Sequence, residues 1–201
     1  KIDEVLDRLT TQHAAQLTPT DWEHIAFAYW EKLDFAQAAK AYSQASPTAL
    51  NLYRAGRSYH LMGETDKAIH FYRQLIQQFP QAQETALGLK HLATLERAAD
   101  PRTALQLWQK LYETFPDRQA LALVEKSRIL EQLGSKTSAQ QAEQSVLTQH
   151  SETAAAAELR WAGLQLAMEQ KKLPVIKATI ATMQQDNPEA RSEEHTSELQ
   201  S

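Results

Sequence analysis

The sequence predicts an all-α protein built as a superhelical stack of about five similar helical hairpins. Three observations support this fold class. Ala, Gln, Leu and Glu dominate the composition, with only 5 Gly and 7 Pro in 201 residues, which favours helix. No stretch shows the strict alternation of apolar and polar residues that is typical of strands. Apolar residues recur at helical spacing in paired segments, and one paired pattern returns along the chain.

A leading helix with an apolar stripe is predicted to end near Leu17. A cluster of helix-start residues follows, and Thr20 is its predicted N-cap. In the first hairpin, large, small and aromatic side chains then follow at regular spacing: Trp22, Ile25, Ala26, Tyr29, Ala38, Tyr42 and Ala45. Leu33 and Asp34 fall at the predicted turn of this hairpin.

The second hairpin, residues 49–80, has the clearest pattern. Its first helix places four side chains on one face, at i, i+3, i+4 and i+7: Leu52, Ala55, Gly56 and Tyr59. Gly63 is predicted to end this helix, because glycine adopts the left-handed conformation that caps a helix C-terminus. Thr65 is the predicted cap of the second helix, which ends before Pro80. The packing residues of that helix are Ala68, Tyr72 and Leu75.

Three further hairpins repeat this pattern more loosely. The third begins with a helix over about residues 83–97, and Asp100 with Pro101 predicts the start of its second helix. The fourth spans residues 120–150, where Gly134 repeats the stop seen at Gly63. The fifth begins with Leu159, Ala162, Gly163 and Leu166 and closes at Pro188. Ala162 and Gly163 repeat the small–Gly pair of the second hairpin at the same spacing.

This spacing of large, small and aromatic residues resembles the tetratricopeptide repeat (TPR), and the second hairpin matches it at each signature position. The resemblance implies a right-handed superhelix in which each hairpin contacts only its neighbours. We therefore expect one TPR-like domain over residues 1–190. In the family, the first helix of each hairpin lines a concave groove, and the positions that flank its packing residues face that groove.

The predicted groove residues bind a protein or peptide partner if the resemblance holds. They are Glu23, Phe27, Trp30, Tyr53, Arg57, His60, Arg128, Glu131 and Arg160. Arg57 and Arg128 occupy the same position in their hairpins, which suggests a basic strip suited to carboxylates, since Arg presents a planar fork of donors. The alternative is that these arginines are solvated or paired with a Glu on the next helix, because exposed charges usually contribute little.

Composition and motifs argue against several other classes of function. A net charge of −4 is too small to indicate nucleic acid or an anionic membrane as a partner. No run of about 18 apolar residues exists, so no membrane span is predicted. The chain has no Cys, no glycine-rich phosphate loop and no His pair at metal-binding spacing. We therefore predict no catalytic residues, no metal and no cofactor in this sequence.

Both ends of the sequence are expected to be truncated. The first residue is Lys1 rather than Met, so we expect the true N-terminus, with any signal peptide, to be missing. Residues 191–201, RSEEHTSELQS, resemble the translation of a sequencing-adapter oligonucleotide. We expect this segment to be a non-native tail, and a further domain to follow residue 190 in the natural protein.

A narrower resemblance concerns residues 122–150 and 154–161. They are similar to the superhelical region that precedes the catalytic domain in bacterial soluble lytic transglycosylases, particularly cyanobacterial ones. This resemblance implies a periplasmic or cell-envelope protein, whose lysozyme-like domain would cleave peptidoglycan glycan strands beyond residue 190. Two functions are therefore open: the non-catalytic scaffold of such an enzyme, or a free-standing adaptor that binds a peptide or partner protein in its groove.

Overall fold

The computed structural model describes residues 2–186. Within this range every regular element is helical, and no strand occurs. The eleven α-helices of this part of the chain are α1 (Ile2–Gln12), α2 (Pro19–Glu31), α3 (Phe35–Tyr42), α4 (Ala49–Leu61), α5 (Thr65–Gln78), α6 (Gln83–Glu96), α7 (Pro101–Thr114), α8 (Gln119–Gln132), α9 (Lys136–Gln149), α10 (Ala154–Glu169) and α11 (Leu173–Asp186). The all-α prediction is confirmed.

Five helical hairpins follow α1, and each pairs two consecutive helices, from α2 with α3 to α10 with α11. The chain divides between Phe115 and Pro116 into two compact units, an N-terminal unit with three hairpins and a C-terminal unit with two. In the N-terminal unit, α3 packs on α4, and α6 packs on both α4 and α5. The prediction that residues 1–190 form one domain stays a prediction. Pro188 and the tail at 191–201 lie outside the described residues.

Four of the hairpins turn through a residue in the left-handed backbone region. These residues are Leu33 (φ 60°), Gly63 (φ 77°), Gly134 (φ 78°) and Lys171 (φ 54°). In the first hairpin, the N–H of Leu33 donates to the carbonyl of Trp30 at 2.9 Å, and that of Asp34 to the carbonyl of Tyr29 at 3.0 Å. This pair of bonds is the Schellman motif, which satisfies the last carbonyls of a helix. The predicted stops at Gly63 and Gly134 are confirmed.

The N-terminal cap of α2 differs from its prediction. Thr18, rather than Thr20, is the N-cap: its Oγ1 accepts from the Asp21 N–H at 3.2 Å, and the Asp21 carboxylate accepts from the Thr18 N–H at 2.8 Å. The helix begins at Pro19, directly after this cap and earlier than a cap at Thr20 would allow. Proline is well suited to the first helical position, because it has no N–H to satisfy there. Two reciprocal bonds of this kind form a capping box.

Two further boundary predictions also differ from the structure. The leading helix ends at Gln12, and a short 3-10 helix over Ala14–Gln16 continues toward Leu17. Thr65 is the first helical residue of α5 rather than its cap, and the preceding Glu64 makes no side-chain cap bond. At α7, by contrast, Asp100 is the N-cap as predicted, and its carboxylate accepts from two backbone N–H groups of the first turn.

The close contact predicted in the second hairpin is confirmed, whereas the small–Gly pair of the fifth makes no such contact at Gly163. A Cβ atom placed on Gly56 would lie 2.9 Å from two ring carbons of the fully buried Tyr72. A Cβ atom on Gly163 would meet nothing within 4 Å. Leu166, on the same predicted face, is 53% exposed. Helix α10 buries a different set of side chains: Ala156, Leu164 and Ala167.

Gly56→Ala is expected to destabilise the protein, because the added methyl must displace a ring that is packed on every side. Overpacking of this kind costs about 1–3 kcal/mol. Gly163→Ala serves as the matched control and is expected to stabilise by about 0.5–1 kcal/mol, since alanine is the better helix former. Urea unfolding followed by circular dichroism measures both effects. A Gly56→Ala variant as stable as the wild type would contradict the close contact.

Candidate functional site

The predicted groove residues of the second hairpin lie together in one cluster of side chains. Tyr53, Arg57 and His60 project from α4 at i, i+4 and i+7, and therefore share one face of the helix. The structure adds Tyr72 from α5 and His91 from α6 to this group. We call these five residues the Arg57 cluster. It brings together side chains from two consecutive hairpins of the N-terminal unit.

The four rings of the Arg57 cluster interlock. The His91 ring stacks on Tyr53 with centroids 6.2 Å apart and on Tyr72 with centroids 5.8 Å apart, each at an interplanar angle of 23°. The His60 ring meets His91 edge-on at 5.5 Å and Tyr72 edge-on at 6.3 Å. Aromatic pairs prefer such stacked and edge-on arrangements. Each ring therefore restricts the rotamers of its neighbours.

The hydroxyl of Tyr72 is the polar centre of the cluster. It lies 3.4 Å from Nδ1 of His60, and Arg57 is close enough to act on its pKa. Burial raises the pKa of Tyr72 far above its ordinary value, and the neighbouring Tyr53 adds to the effect, although Arg57 opposes it. Burial also raises the pKa of Tyr53. Both phenols are therefore neutral at physiological pH and act as hydrogen-bonding groups.

Both histidines of the cluster are held in the neutral form. Burial is the largest cause that lowers the pKa of His91 to about 4, and Arg57, His60 and Lys90 contribute to the same value. Burial also lowers the pKa of His60, again with a contribution from Arg57. At neutral pH the Arg57 guanidinium is therefore the one formal charge among the five side chains. The arrangement places a fork of hydrogen-bond donors near four neutral rings.

The groove residues predicted in the first hairpin belong to a second cluster, which we call the Arg54 box. It consists of Arg54, Glu23 and the rings of Phe27, Trp30 and Tyr42. The guanidinium carbon of Arg54 lies 5.1 Å from the ring centroid of Phe27, 5.6 Å from that of Trp30 and 5.9 Å from that of Tyr42. Nη1 of Arg54 also donates to the Tyr42 hydroxyl at 3.0 Å. Glu23 is half-buried near Tyr42. Burial is the main cause that raises the pKa of Tyr42, and the charge of Glu23 adds to it. Arg54, on α4, thus joins the first two hairpins.

Phe27 and Trp30 lie in different surroundings within this box. Phe27 is 45% exposed and is accessible to a partner, as its groove position predicts. Trp30 was predicted to lie beside the groove rather than among the packing residues, but it is half-buried and packs against the core of the first hairpin. Its ring therefore contributes to packing as well as to the surface of the box.

Arg54 and His91 were missed by the sequence analysis. A signal for His91 exists, because it follows Arg57 by 34 residues (91 − 57 = 34), and about 34 residues is the usual length of a TPR unit. Arg54 carries no comparable signal. Its role depends on rings supplied by α2 and α3, and contacts between helices cannot be inferred from the spacing within one helix.

The remaining predicted groove residues lie in the C-terminal unit, where each has local surroundings. Arg128 forms an ion pair with Glu125, one turn earlier on α8. Glu131 is exposed. Nη1 of Arg160 donates to the carbonyl of Ser151 at 3.0 Å. The pairing of Arg128 matches the alternative of a paired surface arginine, except that the Glu lies on its own helix. A role in binding for these three residues stays a prediction.

An apolar cleft also occurs in the C-terminal unit, between α10 and α11. It has a volume of about 830 Å³, and its walls include Trp161, Leu164 and Ile180. Trp161 is 54% exposed, whereas Trp108 is buried.

No three His, Asp or Glu side chains within residues 2–186 come close enough together to hold a metal ion. Over the same range, none of the helices has the length and apolar character needed to cross a membrane.

Stability is expected to fall as the pH is lowered from 6.5 to 4, because of His91. In the unfolded chain this residue takes up a proton near pH 6.5, but in the folded protein only near pH 4. Between these values the unfolded state binds more protons, so acidification favours unfolding. Melting temperatures at successive pH values measure the effect. His91→Gln should flatten the profile, whereas His24→Gln, at an exposed site on α2, should not. Equal slopes for the wild type and His91→Gln would contradict the assignment.

Arg54→Met is expected to cost about 1–2 kcal/mol, because it removes a cation–π contact and a hydrogen bond while keeping an apolar stem. Arg54→Lys keeps the charge but loses the planar stacking, and should give a smaller loss. The matched control is Arg73→Met, which removes an exposed ion pair with Glu96 between α5 and α6. Such a pair contributes about 0–1 kcal/mol. Equal losses for Arg54→Met and Arg73→Met in urea unfolding would contradict the role of the box.

Comparison with known proteins supports the repeat architecture. Residues 51–82 match the family profile of the tetratricopeptide repeat. No curated protein sequence matches the chain. None of the matches supports the resemblance to lytic transglycosylases.

The chain is similar in structure to solved structures of MamA. One crystal structure gives a TM-score of 0.60 at 14% identity, covering 88% of this chain and 94% of that one. Another gives 0.59 at 17% identity, covering 80% and 95%. A third MamA structure, MSR-1 C2, gives 0.54 at 13% identity, covering 83% and 97%. At these identities the likeness shows the fold alone. Together with the family match, it shows that this chain is a TPR-like helical repeat protein.

Proposed function

We propose that this chain is an interaction scaffold that binds an acidic segment of a partner protein over the Arg57 cluster. The observation that carries the proposal is the cluster itself, in which four rings interlock and the charge of Arg57 acts on each of them. A repeat stack presents an extended surface, and a peptide can lie along it and contact several repeats at once.

Electrostatics determines the preferred chemistry of the ligand. Arg57 carries the only formal charge of the cluster at neutral pH, since His60 and His91 are neutral there. A guanidinium can donate two parallel hydrogen bonds to a carboxylate, and such charge-assisted bonds are roughly twice as strong as neutral ones. The partly buried surroundings reduce solvent screening of the charge. A segment with Asp or Glu side chains therefore fits this surface better than a basic one.

The rings contribute rigidity and apolar contact area. Tyr53 and His91 are half-buried, so part of each ring remains available to a ligand. Because the stacked rings already restrict one another, little side-chain entropy remains to be lost when a partner binds. The exposed ring of Phe27, in the neighbouring hairpin, offers a further apolar contact on a predicted groove position. An acidic segment with an interspersed apolar residue matches these features.

A second candidate function is the non-catalytic superhelical part of a peptidoglycan lytic transglycosylase, located in the periplasm or cell envelope, which would position glycan strands. It is supported only by the sequence resemblance of residues 122–150 and 154–161. No feature of the Arg57 cluster favours glycan over peptide. Recovery of the complete gene tests this alternative, because it requires a lysozyme-like domain after residue 190. We therefore favour the peptide-binding adaptor.

The peptide-binding proposal predicts selective binding of an acidic probe. Fluorescence polarisation with labelled hexaglutamate should show saturable binding that weakens as salt is added, whereas hexalysine and hexaglutamine should not bind. Arg57→Gln should weaken hexaglutamate binding by about tenfold, since a hydrogen bond to a charged group contributes about 1.5–3 kcal/mol.

Arg128→Gln is the matched control for this substitution, because Arg128 is already paired with Glu125 on its own helix. It should leave the affinity for hexaglutamate near that of the wild type. Binding that is unchanged in Arg57→Gln, or that does not discriminate hexaglutamate from hexaglutamine, would rule out the Arg57 cluster as the binding site.

A further inference from the structure

The Arg57 cluster holds two imidazole rings beside the guanidinium that the proposed function uses. His60 lies one helical turn after Arg57 on α4, and His91 meets it edge-on from α6 with ring centroids 5.5 Å apart. Resting on the proposed function, we propose that binding of an acidic segment here is coupled to proton uptake by His60 and His91, so that mild acidification strengthens the complex. This assigns a regulatory property to the same surface.

The surroundings of the two rings are neutral or positive. On α4 the groups that act on them are Arg57 and Tyr53, on α5 the group is Tyr72, and on α6 it is Lys90. Each ring also acts on the other. None of these groups supplies the negative charge that would favour an imidazolium. A ligand that brings a carboxylate to this surface would supply it.

Binding of the ligand therefore changes the proton affinity of both histidines. In the free protein, burial and the Arg57 charge lower the pKa of His60, and burial with the same charge lowers that of His91 to about 4. A carboxylate on the guanidinium offsets this repulsion and attracts an imidazolium directly, which raises both pKa values. The complex then binds more protons than its separate components. By linkage, the association constant rises as the pH falls.

The remaining ionisable groups leave a usable pH window for this effect. Glutamate side chains have an ordinary pKa of about 4.3 and stay mostly ionised above pH 5. Tyrosine and lysine titrate far above neutrality. Between about pH 7.5 and 5.5, the histidines are therefore the groups of this surface whose charge can respond. Both are half-buried rather than fully buried, so a proton and a ligand can reach them.

Isothermal titration calorimetry with hexaglutamate tests the proposal. Measurements at pH 7.5 and 5.5, each in two buffers of different ionisation enthalpy, give the affinity and the number of protons taken up. For the wild type we expect about a fivefold rise in affinity at pH 5.5, as partial uptake of one proton over two pH units allows. Net proton uptake should accompany it. His24→Gln, at the exposed histidine of α2, should show the same ratio of affinities.

The double variant His60→Gln, His91→Gln should bring the ratio of the two affinities close to one, whatever its affinity at pH 7.5. If this variant does not fold, NMR titration of the wild-type imidazole resonances with and without hexaglutamate replaces it, and both pKa values must rise on binding. Binding without proton uptake and with equal affinity at both pH values would overturn this inference but leave the proposed function standing. Absence of binding at both pH values would overturn the proposed function and the inference together.

Discussion

The buried ring of Tyr72 is the interaction on which both the packing and the candidate site of the N-terminal unit depend. It fills the space that Gly56 leaves open on α4, and its edge also approaches the position that a side chain at Gly88 of α6 would occupy. Its other contacts are the stacked ring of His91 and the edge-on ring of His60. One side chain thus joins three helices at the candidate site. Packing and recognition are therefore not separable at this position.

The same burial determines the charge of the surface. The rings that hold Tyr72 in place also remove His60 and His91 from water, which favours their neutral forms, while Arg57 remains charged because guanidinium groups do not lose their proton in proteins. The Arg54 box shows the same principle in the preceding hairpin, where three rings surround one guanidinium. In both clusters an arginine from α4 lies near aromatic residues of neighbouring helices.

Sequence periodicity predicted the hairpins, because it depends on spacing within a single helix, and the resemblance to the TPR selected Tyr53, Arg57 and His60 as neighbours on one face of α4. It failed for Arg54, whose partners come from other helices. It also failed for the face of α10 that carries Gly163. Helix α10 has apolar residues on more than one side, and the pattern alone does not indicate which side its neighbours cover. What spacing cannot supply is the arrangement of one helix against the next.

The left-handed turns have a consequence for the order in which the hairpins form. At Gly63 and Gly134 the backbone adopts this conformation at no steric cost, whereas Leu33 and Lys171 adopt it against a preference of about 1–2 kcal/mol. The Leu33 side chain is 70% exposed and gains little burial in return. In the first and fifth hairpins the packed helices must impose the turn. In the second and fourth, the glycine turn offers no such resistance, so we expect these hairpins to form more readily than the first and fifth.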